Sequence, residues 1–253
     1  RIETALERER QPAEPVAACD ITPAQAAAHP VLKIVGLAGS IDNDMVGTDM
    51  TIGADTALHR ITEALDALSS TAASHQRAFV VEVMGRRCGY LALLSGLATG
   101  AERVYMHEDG VTLADLQRDL QMLTNGFRHG KRLGLLIRNE DANPFYTTPF
   151  MCALYEQEGG ELFDVRQAIL GHLQQGGDPS PFDRILATRM ASESVDYLIA
   201  EAGKGPSGAA AFIGIREGKL TITPFDEMPR LMDLDNHRPK EQWWRALAPI
   251  AQL

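Results

Sequence analysis

Two acidic side chains, Asp42 and Asp44, are separated by one residue and follow an apolar stretch of the chain. Carboxylates at this spacing are suited to a catalytic site. The stretch 33–39 is typical of a buried strand, and open α/β sheets bind ligands just beyond the carboxyl ends of such strands. If the extended geometry continued, both carboxylates would point the same way. One could then accept a proton while the other faced a metal ion. A turn in which these side chains only cap their own backbone explains the pattern equally well.

Basic side chains follow or flank several other predicted strands, where they could bind an anion. These side chains are Arg77, Arg86, Arg166 and His172. Because the loops of βαβ units gather at one edge of a parallel sheet, we expect all four to lie together there. The planar fork of arginine matches phosphate oxygens, so the arrangement favours a phosphate site. Taken singly, each residue also fits an ordinary exposed position or an ion pair.

Two glycines and a glutamate add to this prediction. Gly85 and Gly89 bracket a turn after a predicted strand and allow the backbone to approach a ligand closely. Backbone N–H groups at the start of the next helix would favour an anion there. Glu140, at the end of another strand, could accept a sugar hydroxyl, and a cap or an ion pair explains it equally well.

The elements that must position these residues alternate along the chain. Buried strands are predicted at residues 31–38, 78–83, 103–106, 133–137 and 165–170. Helical patterns begin near residues 51, 90, 112, 147 and 183. The alternation predicts an α/β fold with a mostly parallel sheet and helices on both faces. A hairpin around Glu217-Gly218 and a tail that packs through Trp243-Trp244 complete this prediction.

Composition narrows the class of protein. The 253 residues carry a formal net charge of −10, with 45% hydrophobic and 23% charged residues, which is typical of a soluble globular chain. The negative charge argues against nucleic acid as a partner, because phosphate backbones require a basic face. No apolar run approaches about 18 residues, so we expect no membrane span. The three cysteines lack paired spacing, which favours a reducing, cytoplasmic location over disulfides or a zinc site.

The first 30 residues differ from the rest in composition. Residues 1–30 are rich in Ala, Glu and Pro, and they predict a helical lead-in with a short helix that begins at Thr22. Residues 31–253 form the main predicted region. The sequence contains neither a P-loop nor a Gly-rich dinucleotide turn after a strand, so it presents no recognisable nucleotide motif.

Several motifs, taken together, resemble those of the phosphofructokinase family. The motifs are Gly39-Ser40-Ile41-Asp42-Asn43-Asp44, Gly47-Thr48-Asp49, Ser74-His75-Gln76-Arg77, Met84-Gly85-Arg86 with Cys88-Gly89-Tyr90, and Leu170-Gly171-His172 with Gly176-Gly177. They occur in the family's order and approximate spacing, from about Thr22 to the Trp-Trp tail. The resemblance implies Rossmann-like lobes and the transfer of the γ-phosphoryl group of ATP to the 1-hydroxyl of fructose 6-phosphate, with Mg²⁺, in glycolysis.

The resemblance also implies roles for individual residues. Asp42 matches the base that takes the proton from the sugar hydroxyl, Ser40 a contact of the transferring phosphoryl group, and Asp44 an acidic residue near Mg²⁺. The sugar-phosphate site is implied to consist of the loop Met84, Gly85 and Arg86, the hydroxyl acceptor Glu140 and the 6-phosphate ligand His172. Arg77 and Arg166 match arginines that reach the 6-phosphate from a neighbouring subunit, so an allosteric homo-oligomer is expected.

The sequence also departs from the family pattern. Gly39 stands where pyrophosphate-using relatives carry Lys, which favours ATP as the donor. The family's N-terminal Gly-rich turn and its Gly-Gly-Asp-Gly segment are absent, so we expect a truncated chain with an incomplete N-terminal lobe, lacking on the order of a hundred residues. Gln175 replaces an Arg of many catalytic members, and the segment around Arg138 resembles the regulatory half of double-length eukaryotic enzymes.

These departures leave other functions open beside the kinase. One alternative is a non-catalytic regulatory half that binds fructose 2,6-bisphosphate, although the intact Ser40-Ile41-Asp42 motif argues against it. A second is a fragment that is inactive alone because it lacks the nucleotide site. A third is a structural partner subunit that binds no sugar phosphate.

Overall fold

The structure is a computed structural model that describes residues 32–72, 76–205 and 209–251. The predicted lead-in 1–30, including the helix start at Thr22, lies outside these ranges, as do Ser74 and His75 of the predicted turn before Arg77. The predicted division into a lead-in and a main region is therefore untested.

Strands and helices alternate through the described ranges. The strands are β1 (Val35–Leu37), β2 (Gly39–Ser40), β3 (Ile52–Gly53), β4 (Arg77–Val83), β5 (Arg103–Tyr105), β6 (Leu133–Asn139), β7 (Asp164–Ile169), β8 (Ala211–Arg216), β9 (Lys219–Pro224), β10 (Met232–Asp233) and β11 (Arg238–Pro239). The helices are α1 (Ala54–Ala72), α2 (Tyr90–Thr99), α3 (Leu113–Arg128), α4 (Thr148–Gly159), α5 (Pro181–Gly203) and α6 (Met228–Leu231). Short 3₁₀ helices span Gly160–Leu162, Gly171–Gln175, Phe225–Glu227 and Trp243–Ile250.

The main sheet has four parallel strands in the order β5-β6-β4-β7. Alternate residues of β4 face opposite sides, since successive side chains of a strand do so. Phe79 and Val81 pack in one apolar cluster with α1 and α2, whereas Ala78 and Val80 pack in another with α3 and α4. Helices thus cover both faces, and the predicted α/β class with a mostly parallel sheet is confirmed.

A second, smaller sheet has the order β1-β8-β9, with β1 parallel to β8 and β8 antiparallel to β9. The hairpin predicted around Glu217-Gly218 joins β8 to β9 and is confirmed. Helix α5 packs on this sheet and buries Leu186 and Met190 against Ile213 and its neighbours. Among the described residues, no helix combines the length and apolar character needed to span a membrane.

The strand predicted over 31–38 is present as β1, but it is shorter and less buried than predicted, and the chain then enters β2 of another sheet. The chain forms two short strands in different sheets, because Ala38 N–H donates to Ile213 O (3.3 Å) while Ala38 O accepts from Ile52 N–H (2.7 Å). Ala38 is fully buried at this switch between sheets, whereas Leu37 is exposed. An apolar run in the sequence does not distinguish one long strand from two that change partners.

The C-terminal residues pack onto the body, as predicted from the tryptophan pair. Trp244 is buried, and its ring lies edge-on to that of Tyr90, the first residue of α2, at a centroid distance of 6.0 Å. The neighbouring Trp243 donates its indole N–H to Asp49 O (2.9 Å). The tail therefore contacts both the start of α2 and the end of the loop that carries Asp42 and Asp44.

Candidate active site

The candidate site lies where the carboxyl ends of β4, β6 and β7 meet the acidic turn after β2. The β4 end leads into the loop Met84–Gly89, β6 into Glu140, and β7 into the 3₁₀ helix Gly171–Gln175. Because these strands are parallel neighbours, their exits share one edge of the sheet.

The acidic turn is held by side-chain hydrogen bonds. Ser40 Oγ donates to Asp44 Oδ1 (2.7 Å) and accepts from Asp42 N–H (3.2 Å). Asn43 adopts a left-handed φ of 55°, which Asn tolerates better than most residues, and its Oδ1 accepts from Thr51 N–H (2.8 Å). The alternative of a turn that only caps its own backbone is therefore met in part by Ser40, while Asn43 ties the turn to Thr51 and Asp42 keeps its Oδ1 out of this network.

Asp42 combines burial with an unpartnered oxygen. The residue is 6% exposed, and within the described residues its Oδ1 has no hydrogen-bond partner. Its Oδ2 lies 3.7 Å from Arg86 Nε. Desolvation raises the pKa of Asp42 to about 6, with a further increase from Asp44 and a smaller opposing effect of Arg86. A carboxylate of this kind is a suitable general base near neutral pH.

The loop after β4 needs a glycine and is anchored by Glu140. Gly85 has a φ of 132°, and a Cβ there would lie 2.4 Å from Cys88 O. Glu140 Oε1 accepts from Gly85 N–H (3.2 Å) and from Arg86 N–H (2.8 Å). The Arg86 side chain is 79% exposed and reaches toward Asp42. Glu140 thus positions the loop that carries Arg86. Its Oε1 acts as a cap for backbone N–H groups, which was the alternative to the predicted contact with a sugar hydroxyl.

The start of α2 does not offer a free anion site. Gly89 N–H donates to both carboxylate oxygens of Glu108, at 3.0 and 3.1 Å. Glu108 is fully buried and also pairs with Arg238 Nη1 (3.1 Å) and Gln242 Nε2 (2.9 Å) from the tail. The predicted exogenous anion at this helix N-terminus is therefore replaced by an internal carboxylate.

The 3₁₀ helix after β7 presents His172 and buries Gln174. His172 is exposed. The Gln174 Oε1 accepts from Met84 N–H (3.1 Å), and its Nε2 donates to Gly171 O (2.8 Å). His172, Met84, Arg86 and Glu140 are therefore brought to the same sheet edge as Asp42.

Arg77 and Arg166 do not lie at this edge, so the prediction that all four basic residues gather there is wrong for these two. Arg77 is the first residue of β4 and Arg166 the third of β7, near the amino ends of both strands. At about 3.3 Å per residue, Arg77 lies roughly 20 Å from Met84. Both arginines instead pair with Asp164, with nitrogen–oxygen distances of 3.8 and 3.3 Å.

Sequence reasoning missed several buried polar residues that position the site. Arg138 is buried in β6. Its guanidinium donates to Glu82 Oε2 (2.8 Å) and to the carbonyl oxygens of Glu140 (2.9 Å) and Asn143 (2.7 Å). It thereby fixes the loop that begins at Glu140. A charged residue inside an apolar strand pattern was the signal that could have identified it, because a buried charge requires partners.

Metal ligands are sparse in the part of the chain that the structure describes. No group of three or more His, Cys, Asp or Glu side chains there could enclose a metal ion. Mg²⁺ is often held by one or two carboxylates together with substrate phosphates and water. Asp42, with its unpartnered oxygen, and Asp44 fit that limited role.

Comparisons with known proteins agree with this fold. The family model described as Phosphofructokinase matches residues 4–198. The ATP-dependent 6-phosphofructokinase of Dictyostelium discoideum is 43% identical over 222 residues, which cover 87% of this chain and 27% of that protein. The muscle-type ATP-dependent 6-phosphofructokinase of Homo sapiens is 36% identical over 232 residues, which cover 88% of this chain and 30% of that protein.

Solved structures give the same result. The phosphofructokinase from Saccharomyces cerevisiae aligns with a TM-score of 0.82 and 30% identity, over 86% of this chain and 30% of its own. The pyrophosphate-dependent phosphofructokinase from Marinobacter aquaeolei has a TM-score of 0.66 at 20% identity, over 87% of this chain and 60% of its own, and shares the fold.

Fold and site define an α/β protein with a buried carboxylate at the exit of its sheet. The family match makes this class specific: the chain belongs to the phosphofructokinase family, and the resemblance found in the sequence is confirmed. The chain spans about 27–30% of the length of the curated relatives quoted above.

Proposed function

We propose that this chain is part of an ATP-dependent 6-phosphofructokinase, in which it supplies the base and the sugar-phosphate site. The reaction transfers the γ-phosphoryl group of ATP to the 1-hydroxyl of fructose 6-phosphate and yields fructose 1,6-bisphosphate in glycolysis. Relatives named as ATP-dependent 6-phosphofructokinases support ATP as the co-substrate.

One observation carries the proposal: Asp42 is buried, and its Oδ1 has no partner among the described residues. This oxygen accepts the proton of the sugar 1-hydroxyl as the hydroxyl oxygen bonds to the γ-phosphorus of ATP, and the bond between that phosphorus and the β-phosphate oxygen breaks to release ADP. Arg86, with its Nε 3.7 Å from Asp42 Oδ2, offers a positive charge to the phosphoryl oxygens, and Ser40 orients the turn through Asp44. Such positioning and charge neutralisation provide most of the catalysis in phosphoryl transfer.

The sugar phosphate lies across the three strand exits in this proposal. His172 binds the 6-phosphate, and the Met84–Arg86 loop, with Gly85 at its turn, surrounds the sugar. Glu140 contributes through the loop it anchors and through its second carboxylate oxygen. Arg77 and Arg166 lie near the amino ends of β4 and β7, away from the edge that carries Asp42, so the proposal takes the 6-phosphate arginines from a neighbouring chain in a homo-oligomer.

Mg²⁺ fits the same site through Asp44, with Asp42 nearby. When bound, Mg²⁺ neutralises negative charge on the phosphates of ATP. A cytoplasmic location is supported by the unpaired spacing of the three cysteines and by the glycolytic relatives.

Replacement of Asp42 by Asn in the full-length protein tests the proposal. We expect kcat to fall on the order of 10³-fold, because Asn cannot accept the proton, while the affinity for fructose 6-phosphate changes little. Asp66→Asn is the control, since Asp66 is an exposed carboxylate of α1. Steady-state kinetics and equilibrium sugar binding give both quantities, and near-wild-type kcat in Asp42→Asn would refute the role of Asp42.

A regulatory role is the second candidate. It is favoured by Gln175, which stands where many catalytic relatives carry Arg, and by the segment around Arg138, which resembles the regulatory half of double-length eukaryotic enzymes. In that case the pocket binds fructose 2,6-bisphosphate without chemistry. Calorimetric titration of the full-length protein with the two sugars separates the candidates. Tight binding of the bisphosphate together with an unchanged kcat in Asp42→Asn would support regulation, and binding of neither sugar would support a structural subunit.

A further inference from the structure

Gln174 bridges two loops of the candidate site from a buried position. Its side chain is 1% exposed and lies within the 3₁₀ helix Gly171–Gln175. Met84 N–H donates to its Oε1 (3.1 Å), and its Nε2 donates to Gly171 O (2.8 Å). Met84 and Gly171 are 87 positions apart in sequence, so the Gln174 amide joins the exits of β4 and β7.

The chemistry of the carboxamide fits this position closely. One backbone group is a donor and the other an acceptor, and only Asn and Gln side chains provide an oxygen acceptor and a nitrogen donor in one neutral planar group. The orientation of the amide follows from its two partners. Loss of either atom would leave a part-buried backbone group without this partner, which costs free energy.

Both partners belong to segments that the proposed function uses. Met84 begins the loop whose Gly85 and Arg86 N–H groups are held by Glu140. Gly171 has a φ of 50° and directly precedes His172. The Gln174 amide therefore sets the distance between the segment that carries the exposed His172 and the loop that carries Arg86.

We propose that Gln174 is a positioning residue that couples the phosphate-binding end of the sugar site, at His172, to its reacting end, at the Met84–Arg86 loop. Gln174 does not touch the substrate, since both of its polar atoms are used and its side chain is inaccessible. This inference rests on the proposed function for the identity of the ligand. The bridge itself is independent of that identity.

Two replacements in the full-length protein separate the halves of the bridge. Gln174→Met keeps the length and loses both bonds, whereas Gln174→Glu keeps the acceptor for Met84 N–H and loses the donor to Gly171 O. Gln117→Met, at an exposed position of α3, is the matched control. We expect kcat/KM for fructose 6-phosphate to fall roughly 10- to 100-fold in Gln174→Met, with the KM for ATP unchanged, because two net hydrogen bonds are lost.

Amide hydrogen exchange reads the bridge without any assay of activity. Exchange in the segment 84–89 should be faster in Gln174→Met than in wild type and unchanged in Gln117→Met, with Gln174→Glu in between, because its oxygen still accepts from Met84 N–H while its charge faces Gly171 O. Wild-type exchange in Gln174→Met would overturn the bridge. If the wild-type protein phosphorylates no fructose 6-phosphate, the proposed function fails, yet exchange still decides whether Gln174 holds the loop.

A double-mutant cycle with His172→Ala tests the coupling. If Gln174 positions His172, the loss in kcat/KM caused by Gln174→Met becomes smaller when His172 is already absent. A purely structural role would give the same loss in both backgrounds, and such additivity would overturn the coupling. The unfolding midpoint of every variant, measured in parallel, identifies losses that come from misfolding.

Discussion

At the scale of single residues, the burial that raises the pKa of Asp42 also costs stability. Its pKa is about 6 in the folded chain and 3.8 in the unfolded reference, chiefly because burial disfavours the charged form. The folded state therefore binds a proton more tightly than the unfolded state does. Above pH 6 the ionised carboxylate destabilises the fold fully, and this penalty disappears as the pH falls from 6 toward 3.8.

Asp42→Asn should accordingly stabilise the full-length protein at pH 7.5, by on the order of 3 kcal/mol for a pKa difference of about two units. The gain should shrink between pH 6 and pH 4, where Asp42 itself becomes neutral. Thermal unfolding at pH 7.5 and at pH 4.5 measures both effects, with Asp66→Asn as the control. An unfolding midpoint for Asp42→Asn that is lower than wild type at pH 7.5 would contradict the assigned origin of the pKa shift.

The sequence predicted the positions of the site residues better than their partners. Asp42, Arg86 and His172 follow strands, and strand ends are readable from apolar runs and turns. By contrast, Glu140 binds the backbone of a loop 54 positions away, and Gln174 binds one 90 positions away. Such partners depend on strand order in the sheet, which periodicity along the chain does not contain.

At the scale of elements, Asp183 joins the start of α5 to the start of α1. It is buried and accepts from Gly53 N–H (2.9 Å), Thr56 N–H (2.8 Å) and the Thr56 hydroxyl. Ser180 Oγ donates to Asp55 Oδ2 (2.5 Å), which connects the same two helix ends in the other direction. These bonds satisfy N–H groups that would otherwise have no partner at a helix start.

Replacement of Asp183 by Ala should therefore lower the free energy of unfolding by roughly 3 kcal/mol, since it leaves several buried donors without an acceptor. Asp178→Ala, at an exposed position of the preceding loop, should change it little. Denaturant titration of the full-length protein provides the comparison. Equal stability of the two variants would show that water replaces Asp183 at the start of α1.

Predictions at this scale succeeded for the long helices and for the three-residue β5, and failed where short strands change sheet partners. The apolar spacing of α1 and the prolines at the start of α5 mark these helices in the sequence. Strands β1 and β2 are three and two residues long, and their sheet partners come from β8 and β3. Arg77 shows a related limit. Its strand was predicted correctly, but Arg77 lies at the amino end of that strand and not at the carboxyl end where the candidate site lies.

At the scale of the whole molecule, the tail that carries Arg238, Gln242 and Trp244 supports the loop Met84–Gly89 of the candidate site from outside. Arg238 pairs with Glu108 and donates to Arg87 O, while Gln242 donates to Glu108. Trp244 anchors this tail in the core cluster formed with α1 and α2. Residues far apart in sequence therefore support one loop, Met84–Gly89, from both sides.

Trp244→Ala should destabilise the full-length protein by about 3–5 kcal/mol, because it removes a large side chain that is only 1% exposed and leaves a cavity beside Tyr90. Trp243→Ala is the matched control, since Trp243 is 48% exposed and loses mainly one hydrogen bond to Asp49 O. If the tail supports the loop, Trp244→Ala also accelerates amide exchange in the segment 84–89, and fructose 6-phosphate restores part of the protection. A destabilised variant with unchanged exchange in that segment would mean that the tail stabilises the core alone, and that Glu108, Glu140 and Gln174 suffice to hold the loop.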